Sequence, residues 1–152
     1  MTIDRRRALL AAGATALAPL ARAKTPTQSV TIYKDPSCGC CGSWVDHLKR
    51  AGFTTTVDDS QDMAQIKTKL GVPADLTSCH TGVTGGYVIE GHVPAADIKK
   101  LLKTKPKAVG IAVPGMPANS PGMEAPGAPN ERYTVWLFRK DGTRSAFAQH
   151  GA

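Results

Sequence analysis

Aromatic side chains are scarce in this 152-residue chain, at 5% of the residues, which leaves too few for a base-stacking platform. Long apolar runs are missing as well. The alanine- and leucine-rich stretch from Ala8 to Leu20 has 13 residues and is broken by Gly13 and Pro19, whereas a membrane-spanning helix needs roughly 20. No glycine-rich phosphate loop, Ser-His-Asp order or paired carboxylates occur, so nucleotide and hydrolytic chemistry have no support. Nor is there a solenoid-type repeat. Apolar residues at 41% and charged residues at 20% are ordinary globular usage, enough for one domain.

Acidic residues are outnumbered 12 to 19 by lysine and arginine, giving +7, but much of that charge sits in a segment that reads as removable. Asp4-Arg5-Arg6-Arg7 forms a charged region, Ala8 to Leu20 the apolar core, and Ala21-Arg22-Ala23 a small-x-small cleavage site. Residues 1–23 are therefore expected to be a cleavable export signal, and the paired arginines resemble a twin-arginine signal that lacks the usual aromatic residue. Its loss removes four arginines and Asp4 and leaves 15 cations against 11 carboxylates, or +4. Nucleic-acid binding loses most of its motive. Lys99, Lys100, Lys103, Lys105 and Lys107 read as the solvated face and flank of one helix, where lysine complements the helix dipole.

Residues 24–152 are expected to form a single domain. Val30 to Lys34 reads as a strand, and Asp35 to Gly42 as a thiol-bearing turn. A helix follows, with Trp44, Val45, Leu48 and Ala51 at helical spacing and Gly52 as its stop. Phe53 to Val57 is a second strand, and Ser60 caps a helix presenting Met63, Ile66 and Leu70. The chain then reads as irregular through Ser78-Cys79-His80-Thr81, turns at Gly85-Gly86 and forms a strand at Tyr87 to Glu90. Pro94 opens a third helix, and Tyr133 to Phe138 with Arg144 to Phe147 makes a hairpin about Asp141-Gly142. The fold class is α/β or α+β, a small mixed sheet flanked by helices. Between Val113 and Asn130, five prolines and three glycines in 18 residues make a long loop that carries Pro-Gly-Met twice.

All four cysteines fall in two clusters, Cys38, Cys40 and Cys41 in one and Cys79 beside His80 in the other. Cys38 and Cys41 form a Cys-x-x-Cys at a helix start, where the dipole favours a thiolate. Thiolates attack disulfides and also bind soft metals, and the third thiol, Cys40, tilts the reading toward metal. Cys79 is a candidate ligand. Adjacent residues of an extended chain point to opposite sides, so His80 either completes the site across a bend or supports it by a hydrogen bond. Met116 and Met123 lie in the loop with no periodic apolar face to join, and a thioether suits Cu(I) in an oxidising compartment. His47 reads as exposed on the first helix, His150 as tail, and His92 as the last of the candidates.

These residues resemble the DUF 411 family. The resemblance rests on Tyr33-Lys34-Asp35-Pro36-Ser37-Cys38-Gly39-Cys40-Cys41, on Ser78-Cys79-His80-Thr81, on Gly86 to Ala95, and on Ala112 to Pro117 with Ser120 to Met123. It implies an exported, thioredoxin-like, metal-binding protein with a role in copper handling, its ligands falling on Cys38, Cys40, Cys41, Cys79, His80, Met116 and Met123. A thioredoxin-like fold also implies a cis proline facing the thiols, yet no proline lies between Pro73 and Pro94, so the Cys79-His80 region is expected to fill that space. The expected function is periplasmic sequestration or transfer of Cu(I), with a copper transporter or another periplasmic copper protein as partner. A thiol-disulfide oxidoreductase using Cys38 and Cys41 is the alternative, and a structural zinc site of three cysteines and His80 is the third reading. Whether Cys38 and Cys41 are bridged is left open by the sequence.

Overall fold

The computed structural model describes residues 28–60 and 62–152; the expected signal at 1–23 lies outside them. The elements follow in the order β1 (Ser29–Lys34), α1 (Gly39–Arg50), β2 (Thr54–Asp59), α2 (Met63–Leu70), β3 (His80–Thr84), β4 (Tyr87–Glu90), α3 (Ala95–Thr104), β5 (Gly110–Ala112), β6 (Tyr133–Phe138) and β7 (Arg144–His150), with a 3-10 turn at Ala74–Leu76. One mixed sheet of seven strands has the order β2-β1-β3-β4-β5-β6-β7. In its first four strands β1 is parallel to β2 and antiparallel to β3, which is antiparallel to β4. That is the expected thioredoxin-like arrangement, extended by three more strands. No helix among the described residues is long and apolar enough to cross a membrane.

Period-two alternation sorts the central strands between two cores. Ile89, Ile111 and Leu137 face a core built with Trp44 and Leu48 of α1 and Ile98 and Leu101 of α3. Their chain neighbours Val88, Ala112 and Phe138 face a second core with Leu76, against which Leu70 packs. Trp44 is fully buried, and its indole N–H donates to the Val93 carbonyl at 2.9 Å. Gly82 makes room for that ring, since a Cβ there would lie 3.4 Å from Trp44 and 3.2 Å from Val30.

Several expectations need correction. His80 to Thr84 is an inner strand rather than an irregular stretch, and β5 was not anticipated; His80, Thr81 and Gly82 hide their strand character because they lack a run of large apolar residues. Asp62, rather than Ser60, caps α2, its carboxylate accepting from Gln65 N at 3.0 Å. Two of the lysines in the basic run do more than face solvent. Lys99 donates to the Ala51 carbonyl and lies over Phe53, and Lys100 does the same with the Phe147 carbonyl and ring.

Register brings four chain segments to one end of the sheet. Lys34, the last residue of β1, pairs with His80, the first of β3; Thr81 then pairs with Glu90, the last of β4, which pairs with Ala112, the last of β5. The thiol turn, Ser78-Cys79, Gly91-His92 and the proline-rich loop all emerge there.

Candidate metal centre

The thiol turn is set by Asp35, whose carboxylate accepts from the Ser37 amide at 2.8 Å and from its hydroxyl at 2.5 Å. Those two bonds, ahead of the smaller effect of Lys34, hold the Asp35 carboxyl below its usual range. Cys38 stands at the N-cap of α1 with extended backbone. One turn on, Cys41 is fully buried and bridged to Cys38 by a disulfide. Cys40 and Cys79 are free thiols, both partly exposed. The Cys40 sulfur lies 3.5 Å from that of Cys38, 4.0 Å from that of Cys79 and 3.9 Å from the Met116 thioether.

Cys79 precedes the first residue of β3, and the bend there turns its sulfur to the same side as the next ring. Cys79 Sγ is 3.3 Å from His80 Nδ1 and 3.1 Å from His92 Nε2. The strict alternation expected of an extended chain does not apply across that bend. Two donor groups therefore share Cys79: the sulfurs of Cys38, Cys40, Cys41 and Cys79, and the set Cys79, His80 and His92.

Protonation follows from the neighbours. His92 Nδ1 faces the Pro121 carbonyl at 2.8 Å; an oxygen there can only accept, so Nδ1 carries the proton and Nε2 turns its lone pair toward Cys79. Burial is the main reason the His92 ring stays neutral. His80 sits between Trp44 and His92, with ring centroids 4.3 Å and 4.9 Å away, and its Nε2 is buried without a hydrogen-bond partner. Burial, then the nearness of His92 and Lys67, brings its pKa down to about 3. Both rings are neutral donors at neutral pH. Burial, and after it the neighbouring Cys40 sulfur, pushes the Cys79 thiol up to about 11, so an ion taking that sulfur displaces a proton.

The proline-rich loop folds over this end. Gly122 touches the first turn of α1, where a Cβ would come within 2.7 Å of Trp44 N and 3.1 Å of the Cys40 carbonyl; its φ of +88° also calls for glycine. Met116 is 53% exposed and is the outermost sulfur. Met123, half-buried beside Gly122, accepts no hydrogen bond from the cysteines, so the two Pro-Gly-Met copies stand in different surroundings.

Three histidines depart from expectation. His92 is at the heart of the cluster. His47 is half-buried and accepts from the Ala95 amide at 3.0 Å, tying α1 to the start of α3. His150 ends β7 and meets the Asp97 carboxylate at 2.6 Å. A signal for His92 was present in Gly91, whose φ of +73° ends β4 so sharply that the next side chain turns back into the site. No cis peptide occurs among the described residues, and Cys79 stands against Cys40 where the thioredoxin-like pattern places a proline.

The family model for DUF411, proteins of unknown function, matches residues 76–123. Among solved structures, form 2 of the copper resistance protein CopG is 44% identical over 82% of this chain and 98% of its own, with a TM-score of 0.77. Form 1 is 42% identical over 83% of this chain and 99% of its own, with the same TM-score. The chain belongs to the DUF411 family together with CopG. No curated protein matches it. The DUF411 match contains Cys79, His80, His92, Met116 and Met123, whereas the Cys38-to-Cys41 turn precedes it.

The disulfide spans only three residues, and closing so short a loop restricts the unfolded chain by about 2 kcal/mol. Reduction should therefore leave the fold intact and lower Tm by no more than about 10 °C. Circular dichroism melts with and without reductant check this; loss of the folded signal on reduction would mean that the bridge holds the domain together.

Proposed function

We propose that this protein binds copper after export, holding or handing over Cu(I) through Cys40, Cys79 and, once reduced, Cys38 and Cys41, with His80, His92 and Met116 beside them. The observation that carries the reading is the convergence on Cys79 of two neutral imidazole nitrogens and a second free sulfur. Thiolate, thioether and imidazole are the donor types that suit a soft monovalent ion, and no carboxylate belongs to either donor group. The kinship with CopG, a copper resistance protein, supports the same metal. Met116, outermost of the sulfurs, is suited to exchange an ion with a partner's ligands. The partner fitting this role is a copper transporter or another exported copper protein.

An anaerobic Cu(I) titration of the reduced chain from Lys24 to Ala152, against a competing Cu(I) chelator, tests the proposal. Stoichiometric binding is expected, and Met116→Leu should weaken it severalfold while Met123→Leu changes it less. Negligible binding by the folded, reduced protein overturns the reading.

The Cys38–Cys41 disulfide at the start of α1 favours a second reading, thiol-disulfide exchange begun by Cys38. Insulin reduction separates the two. A copper carrier reacts once, whereas repeated turnover lost on Cys38→Ser would establish the oxidoreductase.

A further inference from the structure

Behind the donor cluster lies a buried ion pair that copper ligation does not use. The Glu90 side chain is fully buried, and its carboxylate meets the Lys67 ammonium at 2.5 Å. The same oxygen, Oε1, accepts from the Ser78 amide at 2.7 Å; Oε2 accepts from the Thr81 hydroxyl at 2.7 Å, and that hydroxyl accepts from Lys67 at 2.9 Å. Burial pushes the Glu90 carboxyl up and Lys67 opposes it.

Stability alone does not account for the pair. Removing two charges from water costs several kcal/mol each, and well-packed apolar residues of similar size often serve as well or better. An apolar residue cannot, however, accept the Ser78 N–H. Ser78 belongs to the bend between the 3-10 turn and β3, so its amide has no strand partner and Glu90 supplies the acceptor. The next residue is Cys79.

The surrounding bonds join the other donor-bearing segments to the same point. The Gly91 amide donates to the His80 carbonyl at 3.0 Å and the Val113 amide to the Glu90 carbonyl at 2.9 Å. The Ser78 hydroxyl donates to the Gly115 carbonyl, next to Met116, at 2.5 Å. Gly91 permits this approach, since a Cβ there would lie 2.4 Å from the Val113 carbonyl oxygen and 2.6 Å from Ser78 Cβ.

We infer that Glu90 is the positioning residue of the metal site. By holding the Ser78 amide it fixes the bend that turns Cys79 toward His80 and His92. The inference rests on the copper-binding reading above and adds to it a residue that touches no ion.

Two double variants separate positioning from charge burial. Lys67→Met with Glu90→Gln removes both charges and keeps an acceptor oxygen for Ser78; Lys67→Met with Glu90→Leu removes the acceptor as well. In chelator competition the first should stay within about threefold of the wild type, while the second loses roughly 10–100-fold in Cu(I) affinity, the range for residues that orient metal ligands. The sulfur-to-Cu(I) ultraviolet band should be preserved in the first and altered in the second. Equal affinities in the two variants, whether retained or lost, overturn the inference. Should the leucine variant fail to fold, amide exchange in the wild type decides: the Ser78 amide should be protected like those of β3, and exchange at an open-loop rate overturns the inference. A wild type that does not bind Cu(I) ends the copper reading itself, and the positioning role with it.

Discussion

Cys79→Ser should abolish retention of Cu(I) against a competing chelator, with a loss exceeding the roughly 10–100-fold produced by residues that only orient ligands. Every other cysteine or histidine of the cluster belongs to one donor group, whereas Cys79 belongs to both. Its replacement takes a sulfur from the thiol group and leaves His80 and His92 with no thiol between them. Serine fills nearly the same space but offers a hard oxygen, so the change is one of donor chemistry. Because Cys79 is partly exposed, the folding stability should move by no more than about 1 kcal/mol. The pairing of measurements matters. Unchanged affinity would show that the ion is held elsewhere, and a collapse of both affinity and stability would show that the thiol acts as core.

Trp44→Ala should be the most destabilising single change in the site's surroundings. The ring is fully buried among Val30, Leu48 and Gly82, and it carries both the Val93 hydrogen bond and a tilted ring contact with His80. Large-to-small changes at such positions cost about 3–5 kcal/mol, which lowers Tm by roughly 10–20 °C for a domain of this size. Trp44→Phe keeps most of the packing and leaves the Val93 carbonyl unsatisfied, so it should cost only about 1–3 kcal/mol. Urea unfolding of the two variants measures both. A cost under 1 kcal/mol for the alanine variant would contradict the packing described here.

The elements that could be read from sequence were those with a strong local signal. α1 and α3 showed apolar residues at helical spacing, and Asp141-Gly142 marked the final hairpin. β3 escaped because His80, Thr81 and Gly82 owe their place in the sheet to Trp44 and the strands on either side. The candidate donors stood out because three cysteines share one turn and two methionines sit in a loop with no periodic apolar face to join. Geometry was less legible. His92 sits 13 residues from Cys79 in sequence, and only the pairing of β3 with β4 brings them together. Lys67 did leave a trace, since it falls on the same stripe as Met63 and Leu70, where a solvated lysine has no reason to be. Glu90, ending the apolar run Tyr87-Val88-Ile89, was its natural partner. A lone lysine or glutamate carries no such meaning by itself, since most are solvated.

The donors come from four stretches of chain, at Cys38 to Cys41, Cys79-His80, His92 and Met116, that meet only where β1, β3, β4 and β5 end together. An unfolded chain presents the first stretch without the rest. Any ion that needs the full set binds the native form alone, so it adds to stability in proportion to the logarithm of its free concentration. Capture and folding are then two faces of a single equilibrium. On the proposed reading, a chain that opens surrenders its ion and a loaded chain resists opening, which would couple the lifetime of the protein to the abundance of that ion.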